Sequence, residues 1–179
     1  MPDDRDSLRT QKLTLWVDQY QVPLLRMCRM YLPDKASAED AVQETFLKAY
    51  QSFPSFRGEC SEKTWLMRIA LNTCRDILRT PWFRHQNRRI TPDALPDLPA
   101  PEDAQTAALA DEIRLLPRKY RDVLLLYYDQ GLTTMEVAQT LHISCATVSR
   151  RLCAARSRLR GALQSDGCSE QKGEMRRER

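Results

Sequence analysis

Residues 150–160 hold five arginines and no acidic residue. Val148, Leu152, Ala155, Leu159 and Leu163 recur through the same stretch at helical steps, so they form an inner stripe. Thr147, Ser149, Arg150, Arg151, Arg156, Arg158 and Arg160 are left on the outside. A helix with a packed stripe and a cationic back suits the DNA major groove. There its first turns meet base edges, and guanidinium groups neutralise phosphates. The plain alternative is a solvated arginine-rich face. The residues just upstream favour the DNA reading. Thr133 and Glu136 have the T-x-x-E spacing of a capping box, which opens a short helix with Val137, Ala138 and Leu141 inward. His142 and Ile143 make a turn, and Ser144 is a good cap for the arginine-bearing helix. Small residues at Ala138 and Ala146 suit two helices in close contact, the helix-turn-helix arrangement.

A second cationic set lies earlier. Arg68, Asn72, Arg75 and Arg79 form one row on a helix predicted over residues 61–79. Just before it, residues 53–60 (FPSFRGEC) bring Phe56, Arg57 and the flexible Gly58, with Trp65 on the first turn of the helix. Rings stack on unpaired bases and arginines track the backbone, so this set suits single-stranded nucleic acid. Against that, Phe53, Phe56 and Trp65 also fit a core. A third set is acidic: Glu39, Asp40, Gln43, Glu44 and Leu47 share the outer side of a helix starting near Ser37. An exposed leucine rimmed by carboxylates is suited to protein docking. A solvated helix with acids near its N-terminus, where the helix dipole favours them, is the competing account.

No set of nucleophile, base and orienting group stands out, and no glycine-rich phosphate loop is present, so an enzyme is not expected. Cys28, Cys60, Cys74, Cys145, Cys153 and Cys168 contain no C-x-x-C pair, and His85 and His142 are not at metal-ligand spacing to them. No metal, cofactor, disulfide or small-molecule substrate is expected.

The elements that must position these sets are helical. The chain has 179 residues, 42% hydrophobic, with strand-like alternation almost absent. That points to an all-α protein. The net charge is only +4, so any nucleic-acid face arises by local segregation of charge. Five prolines and no glycine fall in residues 81–103, a composition that blocks helix propagation and stiffens a linker. The expected organisation is two small helical domains, residues 1–80 and 104–164, joined by this proline-rich linker, with a polar, fraying tail over 165–179. The first domain is predicted to hold three helices, with Pro23 kinking or interrupting the first. In the second, Pro117 suits a helix start and Gly131 a helix end. No apolar run approaches the roughly 20 residues that span a bilayer, and the N-terminus has no signal core. A cytoplasmic protein is expected.

At this point the residues match a known family. Residues 38–47 (AEDAVQETFL) resemble the polymerase-binding helix of the sigma-70 family, in its extracytoplasmic-function group. Residues 56–58 (FRG) with 64–72 (TWLMRIALN) resemble that group's downstream-promoter segment, and 116–126 (LPRKYRDVLLL) with the helix-turn-helix resemble its second domain. The resemblance implies a bacterial promoter-specificity subunit. Glu39, Asp40, Gln43, Glu44 and Leu47 would dock on the coiled coil of the largest subunit of core RNA polymerase. Residues 57–62 would capture a flipped base of the −10 element, with Phe56, Trp65, Arg68, Asn72, Arg75 and Arg79 around the strand. Thr147, Ser149, Arg150, Arg151 and Arg156 would meet the −35 duplex. An anti-sigma factor is implied as a further partner. The family often has a basic residue where this chain has Ser149 and Ala154, and a small polar one at Arg150, so Ala154 receives no contact. The rival is a stand-alone helix-turn-helix regulator, which would self-associate to read a two-fold operator.

Overall fold

A computed structural model describes residues 4–81 and 104–174, with side chains described over 7–81 and 108–163. The expected linker thus lies outside the described residues except for Pro81, as does the tail from residue 175 onward. Among the described residues seven α-helices follow in order: α1 Asp4–Arg29, α2 Lys35–Ser52, α3 Glu62–Arg79, α4 Ala104–Leu115, α5 Arg118–Leu124, α6 Thr134–Leu141 and α7 Cys145–Glu174. A 3₁₀ turn, Phe53–Ser55, closes α2, and a π-helical turn, Leu125–Asp129, extends α5. Among the described residues there is no strand, in keeping with the all-α expectation. None of these helices is long and apolar enough to cross a membrane.

Helices α1, α2 and α3 pack on one another as an N-terminal lobe. Trp16, Leu24 and Met27 from α1 meet Ala41 and Phe46 from α2 and Leu66, Ala70 and Cys74 from α3, all buried. In the C-terminal lobe, α4, α5 and α6 surround α7, through Val123, Leu126, Val137, Val148, Leu152 and Ala155. Val137, Val148, Leu152 and Ala155 are positions that the helical spacing marks as inward, because removing apolar area from water is the main force aligning the helices.

Several expectations are corrected. Helix α1 is not interrupted at Pro23 but runs on through it to Arg29. Helix α2 begins at Lys35, capped by Asp34, whose Oδ1 accepts from the Ser37 amide at 2.8 Å, so Ser37 lies inside the first turn. Pro117 caps α5 from outside and Arg118 is its first residue. Helix α7 continues past Gln164 to Glu174, where a fraying tail was expected, and Leu163 is 39% exposed where the periodicity puts it inward. Helix α3 also buries Met67, Leu71 and Cys74, and α6 packs against it.

Candidate nucleic-acid interface

The α6–turn–α7 unit is built by local chemistry. Thr133 Oγ1 accepts from the Glu136 amide at 3.2 Å while Glu136 Oε2 accepts from the Thr133 amide at 2.9 Å, the reciprocal capping box the spacing predicts. His142 ends α6 in the left-handed region at φ 53°, and the Ile143 amide reaches back to the Ala138 carbonyl at 3.1 Å. Ser144 Oγ then accepts from the Thr147 amide at 3.2 Å, starting α7. On the outer face of α7, Ser149, Arg150 and Arg156 are exposed and Thr147 and Arg151 half-buried. Their contacts stay within the helix: Arg150 Nη2 donates to Thr147 Oγ1 at 3.3 Å, and Arg156 Nε to the Leu152 carbonyl at 3.3 Å. Arg158 differs, lying over the Tyr120 ring at 4.9 Å as a cation–π contact.

The α3 set has a different setting. Ser61 caps α3, accepting from the Thr64 amide at 3.1 Å. Phe56 and Trp65 stack with centroids 4.8 Å apart, and Trp65 also meets Trp16 at 5.5 Å. The aromatics therefore serve the core and the loop wall together. Gly58 has φ 72°, which lets the loop turn back at a conformation that costs other residues. Arg57 is exposed. Arg68 is half-buried beside Cys60, its Nη2 3.8 Å from Sγ. Asn72 is exposed and accepts from Arg75 Nη1 at 3.3 Å. Arg75 Nη2 reaches into the C-terminal lobe, 2.7 Å from Asp122 Oδ2, and Arg79 lies 3.9 Å from Asp76. A cavity of about 510 Å³ is lined by Phe56, Arg57, Trp65 and Arg68 on one side and Gln139 and His142 on the other.

The α2 set keeps to its expected face. Asp40 and Gln43 are exposed, Leu47 is 50% exposed, and Glu39 and Glu44 pair loosely with Lys35 and Lys48 one turn away, at 3.7 and 3.5 Å. Gln43 and Leu47 border an open apolar groove of about 490 Å³ between α1 and α2, with Leu13, Val17 and Phe46.

Residues that the sequence reading passed over join the two lobes. Asp122 is 5% exposed, and its Oδ1 accepts from the Tyr31 hydroxyl at 2.7 Å. Burial, then the Asp122 charge and hydrogen bond, push the Tyr31 phenol well above its ordinary value of 10.0, so it stays a donor. Glu136, besides its capping role, accepts from Ser61 at 3.2 Å and Thr64 at 3.4 Å. Lys63 donates to the Gln130 carbonyl and Gln130 Nε2 to the Pro23 carbonyl. The π turn sets up the last two, since the Gln130 amide bonds Leu125 five residues back. The only signal in the sequence was polar residues at otherwise apolar helix positions. Cys28 and Cys74 face each other with sulfurs 3.5 Å apart in the N-terminal core, where the Cys74 hydrogen bond and burial push the Cys28 thiol up.

Two family profiles match the chain, Sigma-70 region 2 over residues 16–84 and Sigma-70, region 4 over residues 106–159. The chain is 32% identical to the RNA polymerase sigma-H factor of Pseudomonas aeruginosa over 84% of its own length and 85% of the relative's. It belongs to the sigma-70 family. The extracytoplasmic-function group is its place within that family. The ECF RNA polymerase sigma-E factor of Haemophilus influenzae is 31% identical, with 84% and 86% covered, and the ECF sigma factor SigW of Bacillus subtilis 30%, with 82% and 86% covered. Among solved structures, the fold is shared with the sigma factor RpoE of Bartonella quintana, described in complex with the anti-sigma factor NepR, at TM-score 0.70 and 23% identity over 88% of this chain and 97% of that one. CnrH, described with the cytosolic domain of CnrY, follows at TM-score 0.67 and 24% identity, covering 88% and 90%.

Proposed function

We propose that this ECF-group chain binds core RNA polymerase, directs it to specific promoters and assists their melting. The observation that carries this reading is the separation of three faces on three helices: acidic with an apolar anchor on α2, cationic beside aromatics on α3, and cationic at the head of a helix-turn-helix on α7. A duplex-binding regulator needs only the last. Glu39, Asp40, Gln43, Glu44 and Leu47 take the largest-subunit coiled coil, with Leu47 as the apolar anchor and the carboxylates as its rim. Phe56, Arg57, Gly58, Trp65, Arg68, Asn72, Arg75 and Arg79 take the unpaired −10 strand. Extruding a base costs a few kcal/mol of stacking, which rings and guanidinium groups offset. Thr147, Ser149, Arg150, Arg151 and Arg156 take the −35 duplex, the first turn of α7 meeting base edges. The reading assigns polymerase docking and −10 recognition to residues 1–80, the linker to 81–103 and −35 recognition to 104–164. It places the chain in the cytoplasm, assigns it no catalytic activity of its own, and counts an anti-sigma factor among its partners.

The test is a pull-down with purified core polymerase joined to run-off transcription from promoter fragments mapped after overexpression. Association with core and factor-dependent start sites are expected. Binding to palindromic duplex without any binding to core would replace this reading with that of a stand-alone regulator.

A further inference from the structure

We propose that Glu62 is a positioning residue for base capture: its carboxylate fixes the Trp16 indole, and Trp16 holds both ends of the loop that runs from Phe53 to Trp65. This rests on the reading of Phe56, Arg57 and Gly58 as part of the loop that takes an unpaired −10 base. Glu62 is the first residue of α3 and adjoins that loop, yet its side chain is taken up by α1. Its Oε2 accepts from Trp16 Nε1 at 2.8 Å and its Oε1 from Lys12 Nζ at 2.6 Å. Both oxygens are committed to α1, so Glu62 acts on a bound strand through its neighbours. Burial raises the Glu62 value, but the Lys12 and Trp16 hydrogen bonds outweigh it, and the group stays a carboxylate at neutral pH. A bond from an indole N–H to a carboxylate is strong and directional, and Trp16 is 1% exposed, so the ring is held in one orientation.

That orientation matters because the loop rests on this ring at both ends. At its entry, Phe53 meets Trp16 edge-on with centroids 5.4 Å apart; at its exit, Trp65 meets it at 5.5 Å. Phe56 continues the chain of rings, 4.8 Å from Trp65, and its amide donates to the Phe53 carbonyl at 3.0 Å. Ring pairs at such separations prefer particular tilts, so a turn of the Trp16 indole shifts Phe53 and Trp65, and through both of them Phe56. Phe56 leads directly into Arg57, which is exposed, and Gly58 at φ 72°. The orientation of one indole on α1 thereby sets where the loop presents its ring and its guanidinium group. A loop seated in advance loses less conformational entropy when a base enters. A contact residue whose supporting shell is loose falls out of productive geometry with displacements of about 1 Å. A role as a mere tether between α1 and α3 would affect stability and leave base capture alone.

The experiment uses the full chain bound to core polymerase and a fluorescein-labelled single strand from the −10 region of a mapped promoter, read by anisotropy. A matching series of strands makes each −10 base abasic in turn. One abasic position should weaken binding by the parent about tenfold, as expected for the loss of one base–ring stack. Glu62→Leu removes both hydrogen bonds to α1. It should bind the intact strand about as weakly as the parent binds that abasic strand, with no further loss when the base is removed. Glu62→Gln keeps an oxygen for the indole N–H and should restore both the affinity and the abasic penalty. Trp16→Phe keeps a ring without the N–H and should behave as Glu62→Leu does, which tests the same link from the α1 side. Affinity for core polymerase should be unchanged in the Glu62 variants. A folded Glu62→Leu or Trp16→Phe chain that keeps the full abasic penalty overturns the positioning role and leaves the base-capture reading standing. If no abasic position weakens strand binding by the parent while it still binds core, the base-capture reading itself fails and the proposal falls with it.

Discussion

Helices α3 and α7 carry the same signature, arginines at helical steps on the side away from the lobe's own core, yet their arginines have different company. On α7, Arg150 and Arg156 bond within their own helix and face solvent. On α3, Arg75 crosses to Asp122 in the other lobe and Arg68 lies half-buried at the junction. The outer face of α7 is therefore presented to solvent, while in the α3 row Arg68 and Arg75 turn toward another part of the same chain and Asn72 and Arg79 stay exposed. A cationic periodicity identifies a face that the local core does not use. It does not say whether water, nucleic acid or a second lobe will use it. The α2 face is a third case, with its ion pairs confined to the neighbouring turn and Leu47 open to solvent.

The largest expected effect tests whether these faces are separate. Asp40→Lys together with Leu47→Ala should abolish association with core polymerase while leaving melting temperature and duplex binding unchanged, since both side chains lie outside the core. A parallel loss of duplex binding would show that the faces are coupled. Next in size, Arg150→Ala should cost about 1–3 kcal/mol of −35 duplex binding and relax specificity at one base pair if the side chain reads a guanine. The check is a titration against single-base variants; a uniform loss across sequences would turn Arg150 into a phosphate contact. Thr133→Ala should cost about 1 kcal/mol of stability in urea unfolding, because it removes one side of the capping box that starts α6.

The smallest effect at neutral pH comes from the acids at the lobe junction and in the N-terminal lobe. Hydrogen bonding from Thr133, opposed by burial and helped by Ser61 and Thr64, holds Glu136 below its ordinary value of 4.5. Burial pushes Glu62 up, but hydrogen bonds from Lys12 at 2.6 Å and Trp16 at 2.8 Å outweigh it and hold that group below 4.5 as well. A depressed folded value means that the stabilisation is complete above 4.5 and is lost as pH falls through the lower, folded value. Melting followed from neutral pH downward should therefore be flat with respect to these groups until pH 4.5 and fall below it. A Glu136→Gln chain should lose part of that fall and keep its cap, because glutamine also completes the box.

Much of this molecule was legible one helix at a time. The capping box at Thr133 and Glu136, the Ser144 cap, the stop of α3 before Pro81 and the inward stripe of α7 from Val148 to Leu159 all follow from residues within a few positions of one another. Local backbone groups must be satisfied by local side chains, so such features are written into short stretches of sequence. The misjudged details were also local: α2 starts at Lys35 with Asp34 as its cap, ahead of Ser37, and Pro23 is absorbed within α1.

What only the tertiary structure decided is which leftover faces remain free. Tyr31, Arg75 and Asp122 lie 47 and 91 positions apart in their two hydrogen bonds, and no periodicity links them. Helix α6 packs against α3, and its Glu136 takes the Ser61 and Thr64 hydroxyls from 75 and 72 positions away. Caps, helices and the three chemical faces were determined by the sequence itself, since their energetics are settled over a turn or two of backbone. The partial covering of one cationic row, at Arg68 and Arg75, and the exposure of the other were determined by lobe packing, since burial and charge pairing depend on what arrives from far along the chain.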